Sequence, residues 1–310
     1  MKKMLILMMG AMLLLSACSE GDTNFISTTP FLGGTEGLKI SFIDNFPPSV
    51  VGDGGTDEFD VIVEVDNRGE HEVPAEDVLV RLSGFSPNVF NKAVDDLSLN
   101  LPSALEANEK ASDGTRLRSF PLEIEFNSFN YQGRVQGNQQ VPLRAEICYT
   151  YTTQVISSLC IKSDYRRDNT GDICAVDANR QVFNSAGPIQ VVSARQTPSG
   201  EARTRITYVI ENKDNGRVFQ TGSACRVDDR DQNRVFVRVT GLGEGESADC
   251  NLRGGDGVSG DVVLDTNGRA EFVCTFDIDE RSIARPQNYG LSLTYNYNEH
   301  IQTTIVVENS

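Results

Sequence analysis

Cys148-Tyr-Thr-Tyr-Thr-Thr-Gln-Val-Ile-Ser-Ser-Leu-Cys160-Ile161 lines up without a gap on Thr294-Tyr-Asn-Tyr-Asn-Glu-His-Ile-Gln-Thr-Thr-Ile-Val306-Val307. Tyr149 falls on Tyr295, Tyr151 on Tyr297, Val155 on Ile301 and Leu159 on Ile305. Earlier segments recur in the same order. Val63-Glu-Val-Asp-Asn67 resembles Tyr208-Val-Ile-Glu-Asn212, Val78-Leu-Val-Arg-Leu-Ser-Gly84 resembles Val235-Phe-Val-Arg-Val-Thr-Gly241, and Leu122-Glu-Ile-Glu-Phe126 has a counterpart in Glu271-Phe-Val-Cys-Thr-Phe276. One match of this kind is ordinary strand similarity. A series in order makes a duplicated unit.

The repeated segments have the periodicity of strands. Phe59, Val61, Val63 and Val65 alternate with Asp60, Ile62 and Glu64, and Leu122, Ile124 and Phe126 alternate with Glu123 and Glu125. Leu291, Leu293, Tyr295 and Tyr297 alternate with small polar residues. Period two buries one face and leaves the other wet, as in antiparallel sheets. Asp66-Asn67-Arg68-Gly69, Asp214-Asn215-Gly216 and Thr266-Asn267-Gly268 supply turn chemistry between the runs. Helical spacing is scarce: only Val94 to Lys110 has room for a short turn, and Pro102 interrupts it. Half-apolar strands bury their faces by pairing two sheets. The expected fold is therefore all-β, with two tandem antiparallel β-sandwich domains.

The N-terminus supplies an address. Lys2 and Lys3 precede an uncharged apolar run from Met4 to Leu15, too short to span a bilayer, and Leu15-Ser16-Ala17-Cys18 follows. This pattern resembles the lipobox of bacterial lipoproteins. The resemblance implies a signal peptide over 1–17, cleavage before Cys18, lipid on that cysteine, and a place in the cell envelope facing away from the cytoplasm, at the outer membrane or cell surface. Residues 18–37, rich in Gly, Thr and Ser, then read as a flexible tether. The remaining boundaries are a first sandwich over 38–165, a polar connector over 166–186, and a second sandwich over 187–310.

The strand-turn Val61-Ile-Val-Glu-Val-Asp-Asn-Arg-Gly69, followed by Val78-Leu-Val-Arg-Leu, resembles the immunoglobulin-like adhesion modules of the CARDB type. That likeness implies a sandwich of about seven to nine strands and a scaffold or binding role. It brings no catalytic residues. The tryptophan of antibody-like domains is missing, since the chain has none.

Composition narrows the partners. The formal net charge is −16, and removing Lys2 and Lys3 makes it more negative. That balance argues against nucleic acid and against docking on anionic lipid headgroups. After Cys18, six cysteines remain: Cys148, Cys160, Cys174, Cys225, Cys250 and Cys274. In an exported chain an even set reads as disulfides, and the spacing is too wide for zinc. Cys148 and Cys160 are both replaced in the second copy, by Thr294 and Val306, which suggests that they bond to each other across a hairpin. Cys250 would then pair with Cys274, and Cys174 with Cys225.

Candidate chemistry is sparse. His71 and His300 lie in expected turns with no nucleophile context. Gly254 to Gly260 lacks the Gly-Lys-Ser/Thr ending of a phosphate loop and precedes a strand, so a hairpin loop is expected. Asp229-x-Asp231-x-Asn233 has oxygens at alternate positions, as at the start of a calcium loop, but Arg234 stands where that loop needs glycine. Asp53, Asp57 and Glu58 form another acidic loop. No cofactor is expected. The chain reads as a lipid-anchored scaffold, adhesion or envelope-assembly protein, not an enzyme, that touches the membrane through its lipid and other envelope proteins through its surface. A carbohydrate- or ligand-binding lipoprotein is the alternative, and a hydrolase the third reading.

Overall fold

A computed structural model describes residues 29–162, 164–165, 174–226, 230–243, 245–278 and 285–310. The signal segment and Cys18 lie outside the described residues. In the first repeat the strands are β1 (Leu38–Phe42), β2 (Val50–Gly52), β3 (Glu58–Asn67), β4 (Val78–Ser83), β5 (Ser98–Asn100), β6 (Glu109–Lys110), β7 (Arg116–Leu117), β8 (Leu122–Asn130) and β9 (Gln139–Ile161). Those that follow are β10 (Ala178–Asn179), β11 (Val182–Asn184), β12 (Ile189–Pro198), β13 (Arg203–Asn212), β14 (Arg217–Phe219), β15 (Arg234–Thr240), β16 (Ser247–Cys250), β17 (Ser259–Val263), β18 (Arg269–Asp277) and β19 (Arg285–Glu308). The described helical segments are single 3-10 turns, one of which, Asp95–Leu97, falls in the stretch where a short turn was expected.

The fold is all-β and almost wholly antiparallel, with one parallel pairing between β2 and β19. It does not consist of two sandwiches strung in tandem. Strands β9 and β19 pair with each other from Gln139 opposite Val307 to Ile161 opposite Arg285. This ladder is the spine of a nine-stranded sheet, with β4 and β5 beyond β9, and β15 and β17 beyond β19. Two smaller sheets cover its inner face: β1-β3-β8 from the first repeat, and β10-β12-β13-β18-β16 from the second. Each long strand begins beside strands of its own repeat and ends among those of the other. The end of β19 pairs with β2 of the first repeat, and the end of β9 receives β11.

Packing explains the fusion. On β9 the odd positions from Val141 to Leu159 are buried in unbroken alternation, all apolar except Thr153 and Ser157, so the strand has one buried face over that length. No glycine, proline, asparagine or aspartate lies between Cys148 and Cys160 to turn the chain. The hairpin expected there is absent. At about 3.3 Å per residue, the twelve steps from Cys148 to Cys160 separate the two sulfurs far beyond bonding range. The bonds that form are Cys148–Cys225, Cys160–Cys174 and Cys250–Cys274. Only the last matches the expected pairing. The other two tie the middle of β9, at Cys148, to Cys225 and its C-terminal end, at Cys160, to Cys174. His300, expected in a closing hairpin, instead sits in the middle of β19, opposite Glu146.

Duplication is visible atom by atom at the centre. Tyr149, Tyr151, Tyr295 and Tyr297 are fully buried on the inner face, where the two covering sheets meet. The Tyr149 hydroxyl accepts from the Leu38 amide at 3.1 Å, and the Tyr295 hydroxyl accepts from the Ile189 amide at 3.2 Å. Leu38 and Ile189 open β1 and β12. Tyr151 accepts from the His71 amide and Tyr297 from the Gly216 amide. In the same two turns Asn67 donates to the His71 carbonyl and Asn212 to the Gly216 carbonyl. A side chain on Gly69 or Gly216 would run into the Tyr151 or Tyr297 ring, so both tyrosines need a bare backbone beside them. The axis relating the repeats passes through the pair Thr150 and Asn296, whose side chains hydrogen-bond at 2.9 Å. Apart from Ala186, Val209, Phe219 and Cys225, the described buried apolar residues of both repeats join in one cluster.

Two further segments differ from expectation. Residues 29–37, assigned to the tether, are docked: the Glu70 carboxylate accepts from the Leu32, Gly33 and Ala186 amides. Residues 174–186 of the assigned connector carry β10 and β11 and belong to the sheets.

Candidate functional site

A cleft of about 640 Å³ lies in the first repeat, at the end of β3 and beneath the β6–β7 hairpin. Two buried amides build its floor. Asn67, the last residue of β3, donates to the His71 and Glu106 carbonyls and accepts from the Gly69 amide. Asn108 donates to the Asn67 and Gly69 carbonyls and accepts from the Ser119 amide, and the Ser119 hydroxyl closes the loop on the Asn67 carbonyl. Satisfied buried amides fix geometry because each lost bond leaves a desolvated partner. The segment 116–121 is thus held at a set position over β3.

The walls are polar and divided by charge. Glu64, Asp66, Arg68 and Glu36 form one side. Arg68 bonds Asp66 at 3.2 Å and Glu36 at 3.4 Å, and these contacts push its guanidinium pKa up. The other side carries Arg116, Arg118 and Phe120. Neither of these two arginines has an ion-pair or hydrogen-bond partner among the described residues. Phe120 is 87% exposed, more than any other large hydrophobic residue described. Two free guanidiniums beside an exposed ring can take a phosphate or carboxylate together with an apolar surface.

The residues singled out from sequence lie elsewhere. His71 is half-buried, edge-on to Tyr151 at 5.1 Å, and burial lowers its pKa. Its ring meets no hydrogen-bond partner among the described residues, and it does not line the cleft. His300 borders a smaller hollow with Arg144 and Arg217. Of the calcium triplet, Asp229 lies outside the described residues, Asp231 faces Arg234 at 4.0 Å, and Asn233 adopts a left-handed turn conformation. The acidic loop at Asp53 is internally satisfied. The Asp53 carboxylate is fully buried and accepts from the Val135 amide at 2.7 Å, from Arg134 and from Ser310, which hold its pKa below the usual range. Asp57 accepts from the Gly52 amide. Among the described residues no three His, Cys, Asp or Glu side chains converge as a metal site would need. The glycine-rich stretch is not a hairpin loop: it leads from β16 in the covering sheet to β17 in the nine-stranded sheet, with Ser259 and Gly260 already in β17 and Asp256 accepting from the Val258 and Ser259 amides.

Sequence reasoning passed over Arg116-Leu-Arg-Ser-Phe120. Its signal was there: charged and aromatic residues at every second position before Pro121 form one side of an extended segment.

No family model matches this chain, and no curated protein sequence does. Among solved structures it is similar to the envelope protein VP37 of White Spot Syndrome Virus, over 48% of this chain and 98% of that one, at 17% identity and a TM-score of 0.23. It is also similar to a chain described as the triple jelly roll fold and turret assembly of an archaeal virus, over 89% of this chain and 92% of that one, at 9% identity and a TM-score of 0.14. Scores this low carry no argument about this chain.

Proposed function

We propose that this protein is exported, anchored by lipid on Cys18, and serves as a rigid scaffold or adhesion module of the cell envelope through contacts with other envelope proteins. The observation that carries the reading is the β9–β19 ladder, which makes one stiff body of both repeats. Three disulfides reinforce it, and such bonds belong to an oxidising compartment. Each repeat is then an immunoglobulin-like sandwich whose second sheet is held in common with its twin. A body of this kind presents fixed surfaces at a set distance from an anchor. Metabolic labelling with palmitate tests it: the wild-type chain takes up label, Cys18→Ser does not, and proximity labelling from the anchored protein marks envelope proteins. An unlabelled wild-type chain sinks the proposal.

The exposed Phe120 beside Arg116 and Arg118 favours a second reading, a ligand-binding lipoprotein that grips a carbohydrate or small anion in the cleft. Glycan-array binding that disappears in Phe120→Ala would support it, and silence on the array would count against it.

A further inference from the structure

Lys110 and Arg116 are directly paired across the β6–β7 hairpin, so their side chains leave the same face. Arg118 and Phe120 follow at alternate positions and line the cleft with Arg116, on that same side. Lys110 does not point into empty space. Its ammonium bonds the Thr29 carbonyl and, at 3.1 Å, the Thr29 hydroxyl. The N-terminal strap therefore meets the body on the face that carries the exposed ring and the two arginines without a partner among the described residues. Thr29 stands eleven positions after Cys18. Even fully extended, that length of chain spans no more than about 40 Å.

We infer that the face formed by Arg116, Arg118 and Phe120 rests on the phospholipid bilayer in which the protein is anchored, with the ring among the upper acyl chains and the guanidiniums on headgroup phosphates. The inference rests on the lipid anchor at Cys18. Three observations select the bilayer over a soluble ligand. Thr29, eleven positions after the anchor, is held at this face by Lys110. An aromatic ring beside arginines is the side-chain set that suits the boundary between headgroups and hydrocarbon. Arginine also binds phosphate through a bidentate fork and keeps its charge there. The patch is small on a chain of net charge −16 and would not hold the protein by itself. Attachment through Cys18 makes the contact intramolecular in effect, so a weak patch suffices to set orientation.

The chain contains no tryptophan, so Phe120→Trp places a single indole at the proposed contact. Val263→Trp, on β17 of the second repeat, is the control. Each lipidated protein is reconstituted in phosphatidylcholine–phosphatidylglycerol vesicles containing lipids brominated near the headgroup. The indole at position 120 should shift to the blue and lose about half or more of its emission, as for a ring sunk below the headgroups, while that at position 263 should not change. Charge reversal by Arg116→Glu with Arg118→Glu should reduce the quenching. The wild-type protein gives a second readout: trypsin should cut after Arg116 and Arg118 several-fold more slowly in vesicles than in detergent. Unquenched indole at position 120, or equal cleavage rates, in protein that carries palmitate overturns this inference and leaves the anchored scaffold intact. Absence of palmitate overturns both.

Discussion

Glu299 is a carboxyl that the fold pushes toward its neutral form. It lies on β19 with its side chain 15% exposed, and it shares the Lys39 ammonium with Asp214. Lys39 comes from β1 and Asp214 from the turn after β13, so the cluster joins the two repeats. Its bonds are unequal: Lys39 meets Asp214 at 2.7 Å and Glu299 at 3.0 Å. Burial opposes ionisation of all three groups. For Asp214 the bond to Lys39 and that from the Asn215 amide outweigh it, and the pKa falls. For Lys39 the two carboxylates outweigh it, and the pKa rises. For Glu299 burial wins, helped by the Asp214 charge, and its pKa is pushed up to about 7. One ammonium thus supports one full carboxylate at neutral pH. A raised carboxyl pKa means that the folded state holds a proton the unfolded chain has released. Stability from this source is complete below 4.5, the ordinary value, and is lost as pH rises toward 7. The stability of wild type relative to Glu299→Gln should therefore fall by up to about 3 kcal/mol between these limits. Urea melts of both proteins at the two ends of the window measure it, and a constant difference would mean that Glu299 titrates as an ordinary exposed acid. None of this was legible in the sequence, because Lys39, Asp214 and Glu299 belong to three distant segments and only the fused ladder brings them together.

Strands were more legible than their partners. Alternation marked β3, β8 and β19, and the matching Asn67 and Asn212 turns marked the duplication. The long strand β9 was misjudged because two cysteines lost together suggested a bridge between them. Burial at every second residue from Val141 to Leu159 argues for a single straight strand, and the lack of any turn residue there agrees. The paired loss does not reflect a shared bond: Cys148 is joined to Cys225 and Cys160 to Cys174. The actual connectivity orders the contributions to stability. Cys148–Cys225 closes a separation of 77 residues, Cys250–Cys274 one of 24 and Cys160–Cys174 one of 14. Loop-closure entropy then assigns them about 4.5, 3.5 and 3 kcal/mol. Double Cys→Ser variants should lose melting temperature in that order, and peptide mapping without reduction should recover these three pairs. Recovery of a Cys148–Cys160 peptide would contradict the straight course of β9.

At the scale of the molecule, the ladder decides what can fold alone. A tandem pair of sandwiches would let each repeat bury its own core, and two transitions on heating could follow. Here the inner faces of β9 and β19 supply core to both halves, and the four tyrosines tie both covering sheets to the same central patch. Cutting between the repeats would expose the paired edge of a strand more than twenty residues long and strip the apolar side chains that the other repeat had covered. The cleft would suffer as well, since its floor is anchored to the Asn67 turn, which Tyr151 braces from β9. The intact chain should therefore unfold in one step, with calorimetric and van't Hoff enthalpies agreeing once the disulfides are kept closed. Residues 29–165 and 174–310 made separately should each lack a cooperative transition, and should recover it when co-expressed. Native-state hydrogen exchange should find the slowest amides on β9 and β19 around Tyr149 to Thr153 and Leu293 to Tyr297, opening only with global unfolding. A folded first repeat on its own, with its own melting transition, would show that the ladder is an accessory contact between independent domains.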